Sequence, residues 1–165
     1  MTLKRWFPTF LAFPIGGYLA YATVGSVTDT GTAAVGGLLA GAVIGAGQWL
    51  ALRGPGIDRR WAVVTAAAMT AGSALAAVAT GAGTETADLV VTGLVTGAAV
   101  GAAQSALLGS GRLAWTAVTA ATWGLAWFIS SAVLAQQADE DFVVFGSSGA
   151  IVATVLTGLT IRRLA

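Results

Sequence analysis

Two glutamines are the residues best placed to do chemistry in this chain. Gln48 lies in the segment "GLLAGAVIGAGQWLALRG", residues 37–54, and Gln104 holds the matching place in "GLVTGAAVGAAQSALLGS", residues 93–110. An amide donates and accepts hydrogen bonds without ionising, so it can recognise a neutral polar group or tie two helices together. Thr157 stands at the corresponding place of a third, weaker copy, and Gln48, Gln104 and Thr157 together could form a polar collar. Hydroxyls at Ser73, Ser105, Ser130, Ser131, Ser147 and Ser148 become nucleophiles only when a neighbouring base activates them. The chain has no histidine or cysteine, and its one lysine, Lys4, precedes the first apolar run. Catalytic residues are therefore not expected, and His-ligated haem, thiolate metal sites and a retinal Schiff base inside the bundle are excluded. No cofactor-binding and no metal-ligating residue is expected.

The elements that carry these residues have an unusual spacing of glycine. Gly37, Gly41 and Gly45 precede Gln48, and Gly93, Gly97 and Gly101 precede Gln104, all at one offset. Residues four apart stay on one stripe of a helix with 3.6 residues per turn, and a glutamine three further on remains on it. Such a stripe faces protein, because small residues let two backbones approach where no hydrophobic force draws helices together. The third copy carries Gly146, Ala150, Thr154 and Thr157 at the corresponding positions.

Composition places these helices in a membrane. Hydrophobic residues make up 56% of the 165 residues and charged ones only 9%, against roughly a quarter charged in soluble domains. Six apolar runs without a charge, at 7–27, 32–52, 61–81, 89–108, 113–135 and 142–161, are each long enough to cross a bilayer as a helix. The first reads as a working span and not as a cleaved leader, although Lys4 and Arg5 precede it. The alternation of apolar and polar residues that a membrane barrel needs is missing. With the amino terminus cytoplasmic, Lys4, Arg5, Arg53, Arg59, Arg60, Arg112, Arg162 and Arg163 all fall inside, which satisfies the positive-inside rule and puts both termini in the cytoplasm. Asp29, Glu85, Asp88, Asp139, Glu140 and Asp141 then lie outside, the clusters Glu85 with Asp88 and Asp139 to Asp141 as solvated loop residues, and Asp58 lies in an inner turn. Trp6, Trp49, Trp61 and Trp115 fall near the inner ends, where indoles anchor at headgroups.

The expected fold is an all-α membrane protein, a six-transmembrane-helix bundle forming one domain over 1–165. It is built from three parallel helical-hairpin repeats, 1–55, 56–110 and 111–165, since "WAVVTAAAM" from Trp61 also matches "WTAVTAATW" from Trp115. "GAVIGAGQWLALR", residues 41–53, resembles small multi-pass bacterial membrane proteins with repeated GxxxGxxQWLxLR segments, which are largely uncharacterised. The copy at 97–108 is partial and lacks the tryptophan and the arginine. This resemblance implies a membrane-embedded repeat protein and brings no activity with it.

None of the six runs contains Asp, Glu, Lys or Arg, which argues against a pump or proton-coupled carrier. The expected function is that of a non-enzymatic scaffold or accessory subunit in a bacterial plasma membrane, with the bilayer, a membrane-protein partner or a second copy as its partners. No nucleic acid and no cofactor is expected. The alternative is a channel or substrate-binding component for a small neutral solute held at Gln48, Gln104 and Thr157. Trp123 and Trp127 would mark a partner surface under the first reading and a ligand wall under the second.

Overall fold

The computed structural model describes residues 2–53, 57–134 and 145–164. They form six helices and, among the described residues, no strand. We number them α1 (Leu3–Val24), α2 (Thr30–Leu52), α3 (Arg60–Thr80), α4 (Thr86–Ser105), α5 (Arg112–Leu134) and α6 (Ser147–Leu164). The first five are long and apolar enough to cross a membrane. The described sixth helix is 18 residues long and ends in Arg162 and Arg163. The expected sixth run begins at 142, and 142–144 lie outside the described residues, as do Asp139, Glu140, Asp141 and residues 54–56.

Local sequence explains the elements' ends and their one irregularity. Within α1 the stretch Phe7–Leu11, which contains Pro8 and precedes Pro14, tightens into a 3-10 helix. Proline lacks an N–H, so each interrupts the i to i−4 ladder and the chain adopts the tighter turn. Gly25, with φ of 73°, ends α1 while its N–H donates to Tyr21 O at 2.8 Å. Only glycine takes that conformation without a Cβ penalty.

At the start of α2, Asp29 and Thr32 form a reciprocal cap: Asp29 Oδ1 accepts from Thr32 N at 2.8 Å, and Thr32 Oγ1 accepts from Asp29 N at 3.1 Å. Asp29 thus caps α2. The Thr32 backbone N–H is the largest of the contacts that hold its carboxyl below its ordinary value. A carboxyl whose pKa is lower in the folded state adds stability above its unfolded pKa, and that contribution is lost as the pH falls through the folded value. The thermal midpoint of Asp29→Ala should therefore lie below that of the wild type at neutral pH, and the gap should narrow once the pH falls below about 4. A gap that stays constant down to the lowest workable pH would refute the charged cap.

The helices form a closed ring. Each packs on its neighbours in sequence, α6 returns onto α1, and non-consecutive helices make no close backbone approach among the described residues. The helices that carry the glycines of α2 and α4 pack on their sequence neighbours and not against one another. Contact is most extensive between α2 and α3 and between α4 and α5, so the tightest pairs straddle the expected hairpin boundaries at 55/56 and 110/111. The centre of the ring is filled. Phe13 stacks on Phe145 at 5.0 Å between ring centroids, and Trp123 meets both edge-on at 5.7 and 5.5 Å. Ile44, Met69 and Val100 are fully buried in the same core. Trp123 and Trp127 are core residues, whereas Phe128 is exposed.

Candidate functional site

The glycine stripes set the distance between helices, and that distance brings the polar side chains together. A Cβ placed on Gly37 would come 2.6 Å from Met69 O, one on Gly41 2.6 Å from Met69 Cβ, and one on Gly45 2.9 Å from Ala62 Cα. The same relation recurs between α4 and α5. A Cβ would meet Trp123 O at 2.5 Å from Gly93, Thr119 O at 2.7 Å from Gly97 and Thr116 Cα at 2.8 Å from Gly101. At such separations the two backbones touch, and any side chain would force them apart. Gly146 is half-buried just before α6, and its carbonyl accepts from Ala150 N at 3.0 Å.

One helical turn beyond Gly45 and Gly101, the two glutamines meet. Gln104 Nε2 donates to Gln48 Oε1 at 2.9 Å and to Thr65 Oγ1 at 2.8 Å. Gln48 Oε1 also accepts from Trp61 Nε1 at 3.1 Å, and Gln104 Oε1 accepts from Trp115 Nε1 at 3.1 Å. Thr65 Oγ1 in turn donates to Trp61 O at 2.7 Å. Five buried side chains from α2, α3, α4 and α5 are thus joined in one network. Its amide oxygens, indole N–H groups and hydroxyl satisfy one another, which removes the penalty of burying them in an apolar surround. The network links α2, α3, α4 and α5 through side-chain hydrogen bonds.

Thr157 does not join it. Its Oγ1 donates to Ala153 O of its own helix at 2.6 Å, the back-bonding that hydroxyls adopt in apolar helices. The expected three-part collar is therefore a linked pair of glutamines plus a threonine turned to its own backbone. Gln104 sits at its helix end, because α4 stops at Ser105 and the chain continues with Leu107 N donating to Gln104 O at 3.0 Å.

The tryptophans correct a second expectation. Trp6, Trp61 and Trp115 are 0–1% exposed, so they do not anchor at headgroups. Trp61 and Trp115 pack at 6.0 Å between ring centroids, in a cluster that also contains Trp6, Leu52, Leu108 and Ile161. Trp6 Nε1 donates to Thr154 O at 3.0 Å and so ties α1 to α6. A buried indole N–H needs an acceptor, and the glutamine oxygens and the Thr154 carbonyl supply it. Trp49 alone of these four indoles is partly exposed, with the Arg53 guanidinium 5.0 Å over its ring.

Trp61, Trp115 and Thr65 are the network members that sequence reasoning missed. Their signal is a tryptophan followed four residues later by a threonine, in "WAVVT" and again in "WTAVT", where Thr119 Oγ1 likewise donates to Trp115 O at 2.8 Å. Comparison of the chain with protein-family models, curated proteins and solved structures finds no match.

Proposed function

We propose that this chain is a non-enzymatic integral membrane protein that acts as a scaffold or accessory subunit. It sits in a bacterial plasma membrane with both termini cytoplasmic and engages lipid and a membrane-protein partner, or a second copy, through its outer surface. The observation that carries this reading is the filled interior: both glutamine oxygens accept from indoles, Gln104 Nε2 donates to Gln48 and Thr65, and Phe13, Trp123 and Phe145 occupy the centre. Large apolar side chains such as Tyr18, Val63, Leu75 and Val78 point outward, as a lipid-facing surface requires.

Three parallel repeats belong to the same proposal. The recurrence of Gly37 on Met69 as Gly93 on Trp123, and of Trp61 with Gln48 as Trp115 with Gln104, supports them. The third pair is α6 with α1, where a Cβ on Gly158 would meet Trp6 Cδ1 at 2.5 Å.

Cysteine accessibility tests the reading in this cysteine-free chain. Single cysteines at positions 48, 104 and 157, in variants that keep the wild-type melting profile, should resist a small membrane-impermeant thiol reagent from either side. Labelling of all three would mean a water-filled vestibule and would replace the scaffold with a solute-handling component.

A further inference from the structure

The starts of α1, α3 and α5 and the ends of α2, α4 and α6 share one end of the ring, since Trp6, Leu52, Trp61, Leu108, Trp115 and Ile161 form a single cluster there. Every lysine and arginine of the chain falls at that end. Among the described residues Asp58 is the one acidic side chain beside them, and Arg60 Nε lies 3.5 Å from its Oδ2. Arg5 stands before Trp6 as Arg60 stands before Trp61, yet among the described residues no carboxylate pairs with it. It turns to a second arginine instead: Arg5 Nη2 donates to Arg53 O at 3.1 Å, a carbonyl at the end of α2. The Arg53 guanidinium lies 5.0 Å over the Trp49 ring. Both arginines are exposed. Two like charges are thus held at the foot of one seam by a carbonyl and an indole, with no acid between them, and an anion placed there would lower their mutual repulsion. Their donors are largely unspent. One carbonyl takes one of the five N–H groups of Arg5, and stacking on an indole occupies the face of Arg53 and leaves its N–H edge free.

We propose that Arg5 and Arg53 hold the phosphate of one anionic phospholipid at the foot of the seam between α1 and α2, with Trp49 beside the headgroup. A guanidinium can present two N–H groups to two phosphate oxygens at once. Its weak hydration makes it the cation least penalised at the edge of an apolar layer. The side chains next along the seam favour a lipid over a soluble anion. Leu50, three residues before Arg53 and so on the same helix face, is exposed, and so are Phe7 and Leu11 beyond Arg5. Acyl chains lying on these residues would cover apolar surface directly below the two charges. Headgroup charge sets the selectivity: phosphatidylglycerol brings a phosphate alone, whereas a zwitterionic headgroup also brings a cation toward two arginines that have no acid beside them. The site rests on the membrane placement proposed above and not on the scaffold role.

Native mass spectrometry of the full-length protein in a neutral detergent reads the first lipid bound. Phosphatidylglycerol should reach half-occupancy at a concentration roughly tenfold below that of phosphatidylcholine with the same chains. Arg5→Gln combined with Arg53→Gln should raise the phosphatidylglycerol concentration by roughly tenfold or more and erase the preference. Arg112→Gln combined with Arg163→Gln removes the same charge from α5 and α6 and should shift it by less than about threefold. Inorganic phosphate at the same concentrations should not displace the lipid. Equal occupancy by the two lipids would overturn the site, because headgroup charge would not be read. An equal shift in the α5 and α6 variant would overturn it too, since the cations would then act as a diffuse belt, and displacement by phosphate would make the site one for a soluble anion. A protein that stays monodisperse without detergent would instead overturn the membrane placement, so the two failures are told apart. Should the double variant fail to fold, Arg53→Gln alone carries the assay and the same outcomes, because Arg5 keeps its bond to the main-chain oxygen at that position.

Discussion

Gly97→Leu should yield no folded protein. A Cβ at position 97 would sit 2.7 Å from Thr119 O and 2.9 Å from Ala120 Cα, and both are backbone atoms that no rotamer change can move. The side chain therefore fits only if α4 and α5 separate along their whole length. Overpacking a well-packed core typically costs about 1–3 kcal/mol. Here the separation would also forfeit the dispersion contacts of the interface and pull Gln104 away from Trp115. Gly97→Ala should already lower the thermal midpoint in detergent clearly. Two glycines calibrate the effect. A Cβ on Gly47 would meet only Ala12 Cβ, at 3.1 Å, and one on Gly109 would meet nothing within 4 Å. Gly47→Ala should therefore cost little and Gly109→Ala nothing measurable. A Gly97→Leu protein that melts like the wild type would refute the close α4–α5 packing.

Gln104→Leu should destabilise the bundle by about 2 kcal/mol, between the average of roughly 0.6 kcal/mol for one interhelical hydrogen bond in a membrane and the upper range for stranded buried groups. Leucine has nearly the volume of glutamine, so little cavity forms. The loss comes from the partners, since Trp115 Nε1 is left without an acceptor in a fully buried position and Thr65 Oγ1 loses its donor. Gln48→Leu should cost less, because Gln104 Nε2 keeps Thr65. Joined by one bond, the two substitutions should not add, and a double-mutant cycle should return a coupling of about 0.5 kcal/mol or more. Independent, additive effects would mean that the direct Gln48–Gln104 bond contributes nothing.

How much of this was legible beforehand differs from residue to residue. Gly41 and Gly97 announce a protein-facing stripe because a four-residue spacing fixes a helix face whatever the partner is. Their neighbours were not legible, because the spacing does not say which helix the stripe meets. The structure sets them on α3 and α5. The glutamines were legible as a pair of interhelical ties, but their acceptor duty toward Trp61 and Trp115 was not. Tryptophan near a helix end is the residue type of both a headgroup anchor and an interior wedge, and only its direction around the helix separates the two. Thr157 shows the same limit, since a hydroxyl on the right stripe turned to its own carbonyl instead of across the ring.

What the sequence by itself determined, then, is set by single segments: apolar helices long enough to cross a membrane, cations confined to one set of helix ends, and glycines that must face protein. These follow from length, hydropathy and helical periodicity, which need no knowledge of a partner. Tertiary structure alone decided the closure of α6 onto α1, the pairing of α2 with α3 and α4 with α5, and the burial of Trp6, Trp61 and Trp115. Each of these depends on how six helices rotate about their axes to fill one interior, and close packing settles those rotations together, not helix by helix.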